Sequence, residues 1–518
     1  MADGNGGARR ARPGGGDGAG TPRRAALDDP RPGGFRASLL WTVLGTLIPG
    51  LGLWHAGRRK PGGILMALFF FGLLNLVAAY FLARRQVKAV LLTPTGLYTV
   101  CGVLALGALV WVVTIGYTHL ALRPRRPSNA QRAAGAVLVG LLSFAIAAPM
   151  AWGSHLSYVT ASFMGTVFHS QQDTKSQTRP TIDVNQGDPW KNKPRLNVLI
   201  LGGDSGKGRD PSLGARTDTV ILASIDTRTG DTVLVSIPRN TARMPFPANT
   251  PMYKRWPEGF YDGENADNPE YFLNAMYDNV PAELGRDFLG PTSNVGADVL
   301  KLSVGEATGL KVDYYALINL DGFVQLIDAL GGVTVNVNTR VAMGGNSDLN
   351  IPPTRWLEPG PNQHLNGQDA LWFARGRYGA DDFQRMDRQR CVINAVIRQA
   401  DPATLLTRYE GIAAAGKKII LTDVPSEILP GLLDLALTVK GRGSIRSIVF
   451  KHGVDGWSSP HPNFDSMRAR IAAAIAASPP APTTPQPSGT RTTAAAQPTS
   501  TGGGGTENVQ DVCAYHPE

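Results

Sequence analysis

Apolar residues are concentrated early in the chain. Four segments, roughly 37–56, 64–83, 97–122 and 133–152, are almost continuously hydrophobic. Each of the last three has about 20 or more residues with almost no charge, enough for a helix across a ~30 Å hydrocarbon core. The first is interrupted by Pro49 and Gly50 and loosened by Gly45 and Gly52, so it reads as a kinked or re-entrant hairpin. Beyond residue 195 the pattern changes to short alternating elements. Residues 197–202 form a buried-strand run, and 219–226 and 231–238 read as two more strands. The Thr227-Arg-Thr-Gly230 turn between the last two suits a hairpin. Residues 241–295 are loop-rich. A helix is expected at 296–310, a strand at 314–320, and a helix at 321–330 with Asp321 as N-cap and Gly331-Gly332 as stop. A strand at 333–337, helices at 382–400, 402–416 and 426–439, a strand at 445–450 and a helix at 464–477 follow. Helices interleave with strands, so the expected fold class is α/β. It is an αβα sandwich with a mixed sheet, preceded by an α-helical transmembrane block. The early hairpin argues against a purely parallel sheet.

Composition divides the chain further. Residues 1–34 are rich in Gly, Arg, Pro and Ala and read as a disordered basic tail. Residues 35–152 are the transmembrane block, 153–195 a polar juxtamembrane spacer, and 196–477 a globular domain. Residues 478–518 are a Pro/Thr/Gly-rich linker ending in a short acidic-aromatic tail. The hydrophobic block is too long and too repeated for a cleavable signal peptide. Basic loops decide the orientation. Loop 57–62 carries Arg58, Arg59 and Lys60, and loop 123–132 carries Arg123, Arg125, Arg126 and Arg132. With these loops and the basic tail inside, three segments cross, segment 37–56 re-enters, and everything after 152 lies outside the cytoplasm.

The net charge of +10 points to nucleic acid, anionic lipid or phosphorylated substrates. Membrane helices make nucleic acid the weakest of these. Three cysteines exclude a disulfide-dense scaffold and a zinc site. Cys391 and Cys513 both follow the last membrane helix; they either pair, pinning the C-terminal tail to the domain, or remain two free thiols. The eight histidines form no triad or ligand spacing, which disfavours Ser-His catalysis and zinc hydrolysis.

Four clusters carry candidate chemistry. Gly202-Gly-Asp-Ser-Gly-Lys-Gly-Arg209 is not a P-loop, because Leu201 replaces the first Gly and Gly208 the Ser/Thr after Lys207. Asp204 at this strand end and Asp218 in Arg216-Thr-Asp-Thr219 become neighbours if the first two strands pair. Two carboxylates suit Mg2+, which keeps much of its water shell and is completed by phosphates; turn formation is the plainer role. Ser236-Ile-Pro-Arg-Asn240 ends the third strand and presents Arg239, while Ser236 lacks the partners of a nucleophile. Residues 374–390 hold five arginines and three aspartates. Asp382, Arg385 and Gln389 share one helical face, and Arg375 and Arg377 precede the helix in extended fashion. Arg grips phosphate oxygens in bidentate fashion. The plainer reading is a solvated basic helix.

In order and spacing the chain resembles the LytR-CpsA-Psr family of cell-wall ligases over about 195–400. The motifs are Asn197-Val-Leu-Ile-Leu-Gly-Gly-Asp204, Arg216-Thr-Asp-Thr219, Ser236-Ile-Pro-Arg239, Leu273-Asn-Ala-Met276 and the run from Leu365 to Gln389. The resemblance implies a membrane-anchored phosphotransferase outside the cytoplasm. It would move a glycopolymer from a polyprenyl-pyrophosphate carrier to peptidoglycan through a phosphodiester. It implies that Asp204 and Asp218 hold Mg2+ (or Mn2+). Arg239, Arg375, Arg377 and Arg385 would grip the pyrophosphate, supported by Arg216 and Gln389. Asp382 or Asp381 would activate the acceptor hydroxyl or orient the arginines, and the lipid would lie in an apolar channel lined from about 300–335. Arg388 and Arg390 are expected to serve the helix surface. Two departures stand out: Asn240 where the family has Asp, and a block of membrane segments where it has one helix. The alternative is a non-catalytic, regulatory polyprenyl-phosphate-binding membrane protein. A DNA-binding regulator would need a cytoplasmic reading element, and only a disordered tail and short loops are offered there.

Overall fold

The structure is a computed structural model. It describes residues 34–82, 93–171, 173, 175–180, 182, 189–203, 216–345, 351–376, 378–379, 381–399, 408, 411–413, 420–454, 456–477 and 506–516. The chain forms two compact units, one of residues 1–74 and 108–148, the other of 75–107 and 149–518.

The first unit begins with α1 (Phe35–Leu47) and α2 (Leu51–His55). Pro49 breaks the run, and Gly50 at φ 98° turns the chain back. A Cβ on Gly52 would lie 2.8 Å from the Trp41 carbonyl, so only glycine allows α2 to fold this closely onto α1. With 13 residues, α1 rises only about 20 Å, short of a hydrocarbon core. Among the described residues, three helices are long and apolar enough to cross a membrane: α3 (Arg59–Leu82), α4 (Pro94–Leu122) and α5 (Asn129–Val167). In the first unit, large side chains such as Phe71, Leu74 and Phe144 are exposed, while Thr42, Thr46, Thr118 and His119 are buried. Lipid tolerates this inverted surface and water does not. The Thr42 hydroxyl donates to the Ser38 carbonyl (2.7 Å) and Trp111 Nε1 to the Thr46 carbonyl (3.0 Å).

The second unit is built on a seven-stranded sheet. Its strands are β1 (Arg195–Gly203), β2 (Thr217–Asp226), β3 (Thr232–Ser236), β4 (Tyr314–Asn319) and, after the two small sheets described below, β9 (Ile420–Thr422), β10 (Ile445–Val449) and β11 (Glu507–Asn508). Their order is β11-β10-β3-β2-β1-β4-β9. β1 pairs antiparallel with β2 and parallel with β4, so the sheet is mixed. Period-two alternation divides the side chains. Leu199, Leu201, Leu222, Val233 and Val235 enter one core, against α6 (Pro251–Arg255), α7 (Met276–Leu284), α8 (Val295–Thr308) and α13 (Phe464–Ala476). Ile200, Ile221, Ala223 and Leu234 face the opposite side. That side carries α9 (Leu320–Leu330), α10 (Gly367–Arg375) and α11 (Asp382–Gln399). It also carries two small sheets, β5 (Val333–Val337) with β8 (Gly360–Leu365) and β6 (Val341–Met343) with β7 (Arg355–Leu357). Near one end of the sheet, α12 (Leu429–Arg442) packs Leu435 with Leu196, Tyr314 and Trp190.

Several local expectations change. The α9 N-cap is Asn319, whose side chain accepts from the Gly322 N–H (2.8 Å); β4 delivers it in extended conformation, and Asp321 falls in the first turn instead. The loop-rich stretch contains α6 and α7, and α6 is started by Thr250 and Pro251. Most of the expected helix at 402–416 lies outside the described residues. The C-terminal residues join the domain. β11 pairs with β10, and α14 (Val509–Val512) buries Val509 beneath the sheet. Cys391 and Cys513 are disulfide-bonded, with Cα atoms 5.4 Å apart. Asn336 and Asn338 donate to the carbonyls of Cys513 (2.9 Å) and Ala514 (3.1 Å).

A disulfide closing so long a loop constrains the unfolded chain. Cys513→Ser is expected to lower stability by about 2–5 kcal/mol. Urea unfolding of the full chain, with and without reductant, checks this. An unchanged midpoint would mean that the C-terminal segment adds nothing to the domain.

Candidate functional site

β1 and β2 end side by side, and their register slips there. Gly202 pairs with Thr219 and Gly203 with Thr217, which leaves Asp218 unmatched in a bulge. A Cβ on Gly202 would lie 2.8 Å from Thr219 Cβ, so the close approach requires glycine. Bulges re-aim a side chain at a strand end, and here Asp218 turns toward Arg239. Arg239 leaves the end of β3 behind Pro238, and its Nη1 donates to Asp218 Oδ1 (2.8 Å). Asn274 Nδ2 donates to the same oxygen (3.1 Å), while its backbone N–H donates to the Arg239 carbonyl (3.0 Å). One asparagine thus holds both members of the pair.

The other half of the site comes from α10 and α11. Asp381 caps α11 by accepting from the Gln384 N–H (2.7 Å). Asp382 opens the helix and lies 3.0 Å from Arg385 Nη2 and 3.7 Å from Arg239 Nε. Arg385 is only 3% exposed. Aspartates and arginines therefore alternate along Asp218, Arg239, Asp382 and Arg385, so the arginines converge without bare repulsion. Asp218, Arg375, Arg385 and Gln389 line one cavity of about 190 Å³. Apart from Thr219 and Asn319, its remaining wall is apolar and includes Ile200, Ile318, Leu320, Phe323, Leu371 and Val392. Burial pulls the Arg375 guanidinium below its ordinary value, and the Asp218 charge opposes that. Burial alone would raise the Asp218 carboxyl; the charge and hydrogen bond of Arg239, the Asn274 amide and the charge of Arg385 outweigh it, holding Asp218 below the usual range.

Some placements differ from the sequence reading. Arg375 is the last residue of helix α10, not part of an extended run. Arg388 and Arg390 are buried, not on the helix surface. Arg388 donates to the carbonyls of Phe373 (2.7 Å) and Gly376, tying α11 to the end of α10 that carries Arg375. Arg390 meets Asp387, Ser447 and Glu507 (3.0 Å to the last). Guanidiniums this deep persist only when paired or hydrogen-bonded. Arg216 pairs with Glu270 and the Pro269 carbonyl. Ser236 sits inside the sheet at 1% exposure, consistent with no nucleophilic role. Asn240 is exposed. Asp204 and Arg377 lie outside the described residues. Asn274 was visible only as one letter of a motif, because its role depends on a fold that brings residue 274 beside 218 and 239.

A model of the LytR_cpsA_psr family matches residues 157–455. The chain belongs to this family. A curated relative, the polyisoprenyl-teichoic acid–peptidoglycan teichoic acid transferase TagU of Oceanobacillus iheyensis, is 29% identical over 54% of this chain and 74% of its own. Biofilm regulatory protein A of Streptococcus mutans is 27% identical over 49% of this chain and 56% of its own. The crystal structure of B. subtilis TagV aligns over 55% of this chain and 99% of that chain, at 21% identity and a TM-score of 0.37.

A carboxyl with a depressed pKa stabilises the fold above its unfolded value and loses that contribution as pH falls through the folded one. The stability gap between wild type and Asp218→Asn is therefore expected to be steady near neutral pH. It should close as pH drops from about 4 toward 2. Denaturant unfolding across that range measures it, and a pH-independent gap would overturn the pairing. Asn274→Ala is expected to cost about 1–3 kcal/mol in the same experiment.

Proposed function

We propose that this protein transfers a glycopolymer from a polyprenyl-pyrophosphate carrier to peptidoglycan, forming a phosphodiester. The observation that carries the reading is a cavity lined by Arg375 and Arg385 together with a largely apolar wall, beside the Asp218–Arg239 pair. Its shape suits an amphiphile with a polyanionic head. The apolar wall takes the isoprenoid tail with Ile318, Leu320 and Phe323 from the region expected, joined by residues of β1, α10 and α11. The name of the TagU relative, with its lipid-linked donor and peptidoglycan acceptor, supports the same substrate classes.

In the reaction an acceptor hydroxyl attacks the glycan-bearing phosphorus. The P–O–P bond breaks, the hydroxyl proton passes to a base, and polyprenyl phosphate leaves. Arg239, Arg375 and Arg385 bind the pyrophosphate and stabilise the charge that gathers on the leaving phosphate. Arg377 is assigned with them, and Arg216 and Gln389 border the group. Asp382, between Arg239 and Arg385, orients both guanidiniums. Asp218, with Asp204, would hold Mg2+ (or Mn2+), which would neutralise phosphate charge. Among the described residues Asp218 fits, since both its contacts fall on Oδ1 and Mg2+ needs only one or two carboxylates beside phosphate oxygens. Asn274 positions the Asp218–Arg239 pair.

A three-crossing topology places this site outside the cytoplasm and needs no nucleic-acid partner. Labelling Ser170→Cys with a membrane-impermeant reagent in intact cells is expected to succeed; protection there would refute that topology.

The activity test is transfer by the full chain in detergent, given lipid-pyrophosphate-linked glycan, peptidoglycan and Mg2+. Arg239→Ala and Arg385→Ala are expected to lower the rate roughly 100-fold or more, and chelation to stop it. Absence of both transfer and lipid phosphate release would sink the enzyme reading. Normal transfer by Arg385→Ala would remove α11 from the site.

A further inference from the structure

The first unit contains a second cavity, of about 290 Å³, where α4 ends and α5 begins. Arg123, Arg132 and His119 line its polar part, and Leu120, Ala136 and Val139 its apolar part. His119 is only 8% exposed. Its Nδ1 lies 3.4 Å from the Thr42 hydroxyl, and its ring rests on Gly135, where a Cβ would come within 2.5 Å of Nε2. The ring is therefore held at the cavity wall by a hydroxyl on one side and a bare backbone on the other. Ser128 and Gln131 cap α5 reciprocally (3.0 and 3.2 Å), which fixes the turn that presents Arg132. A cation in the first turn of a helix opposes the backbone dipole, whereas an anion there is favoured. The chain has no Asp or Glu from residue 31 to 172, so this block of helices carries only positive charge.

We propose that this cavity binds the phosphate of an anionic glycerophospholipid between Arg123 and Arg132, with an acyl chain along Leu120, Ala136 and Val139. His119 forms the floor of the headgroup site. The site rests on the reading of α3, α4 and α5 as membrane-spanning. Its two-part lining is what a lipid needs: basic groups at the boundary of the hydrocarbon region and an apolar path leading from them. Its use is mechanical, because a lipid phosphate bridging the end of α4 and the start of α5 fixes their separation.

The test is native mass spectrometry of the full chain released from nanodiscs of equal phosphatidylglycerol and phosphatidylcholine. Wild type is expected to retain phosphatidylglycerol in preference. Arg123→Gln with Arg132→Gln should weaken retention about 30-fold, the effect of two basic side chains. Ala136→Leu, on an exposed helix position, should block the cavity without removing charge. Arg59→Gln with Lys60→Gln makes the same charge change outside the cavity and should retain lipid as wild type does. Equal loss in cavity and control pairs, or equal retention of both lipids by wild type, would overturn the site. Displacement by excess soluble glycerol phosphate would show that only a free phosphate binds, and would overturn the lipid assignment. Transfer activity plays no part in the readout, so the outcome is independent of the catalytic reading.

Discussion

Arg239 and Arg385 converge beside one cavity with Arg375, and like charges do not converge unaided. The fold meets this constraint by interleaving carboxylates. Asp218 holds Arg239 at 2.8 Å, and Asp382 lies between Arg239 and Arg385. These residues come from the ends of β2 and β3 and the start of α11, so the charge ladder also sets how helix and sheet meet. A bulge between Gly202 and Thr219 aims the first carboxylate, and Asn274 locks it to Arg239 through one side-chain and one backbone bond. Geometry here is preorganised before any ligand binds, which is the condition under which fixed charges stabilise a developing anion most.

The arginines of α11 are all buried and divide by what they meet into two kinds. Arg385 reaches the cavity, while Arg388 and Arg390 turn into the protein and tie the helix to α10, β10 and the C-terminal strand. The disulfide from Cys391 to Cys513 fastens the same helix one turn further along. Buried guanidiniums are costly unless paired, and these meet carbonyls, a serine and carboxylates. The cavity-lining face of α11 therefore depends on its other face and on residues more than a hundred positions away.

The first unit follows another logic. It exposes Phe71, Leu74 and Phe144 and buries threonines, as suits a unit surrounded by lipid rather than water. Its short first segment folds back at Pro49 and Gly50, and close contact at Gly45 and Gly52 lets two helices share the space of one.

The strands at 197–202 and 219–226 were legible because continuous apolar runs bounded by turn residues have few other uses, and the mixed sheet followed from the early hairpin. The small sheets were not: Gly360-Pro-Asn-Gln-His-Leu365 carries too little apolar content to mark a strand, and its pairing with β5 comes from tertiary contact. Motif spacing was enough to bring Asp218, Arg239, Arg375, Arg385 and Gln389 together as candidates. It set Arg385 apart from Arg388 and Arg390 but put the latter two on the helix surface, whereas both are buried. It could not show that Arg375 ends a helix, or that Asn274 matters. Those distinctions depend on which neighbours a side chain meets, and neighbours distant in sequence are set by packing. The sequence by itself determined the long apolar helices, the α/β alternation and the clustering of arginines and aspartates. Only the tertiary structure decided which of those charges face a ligand and which brace the fold, because burial and partner geometry, not residue type, decide the role of a charge.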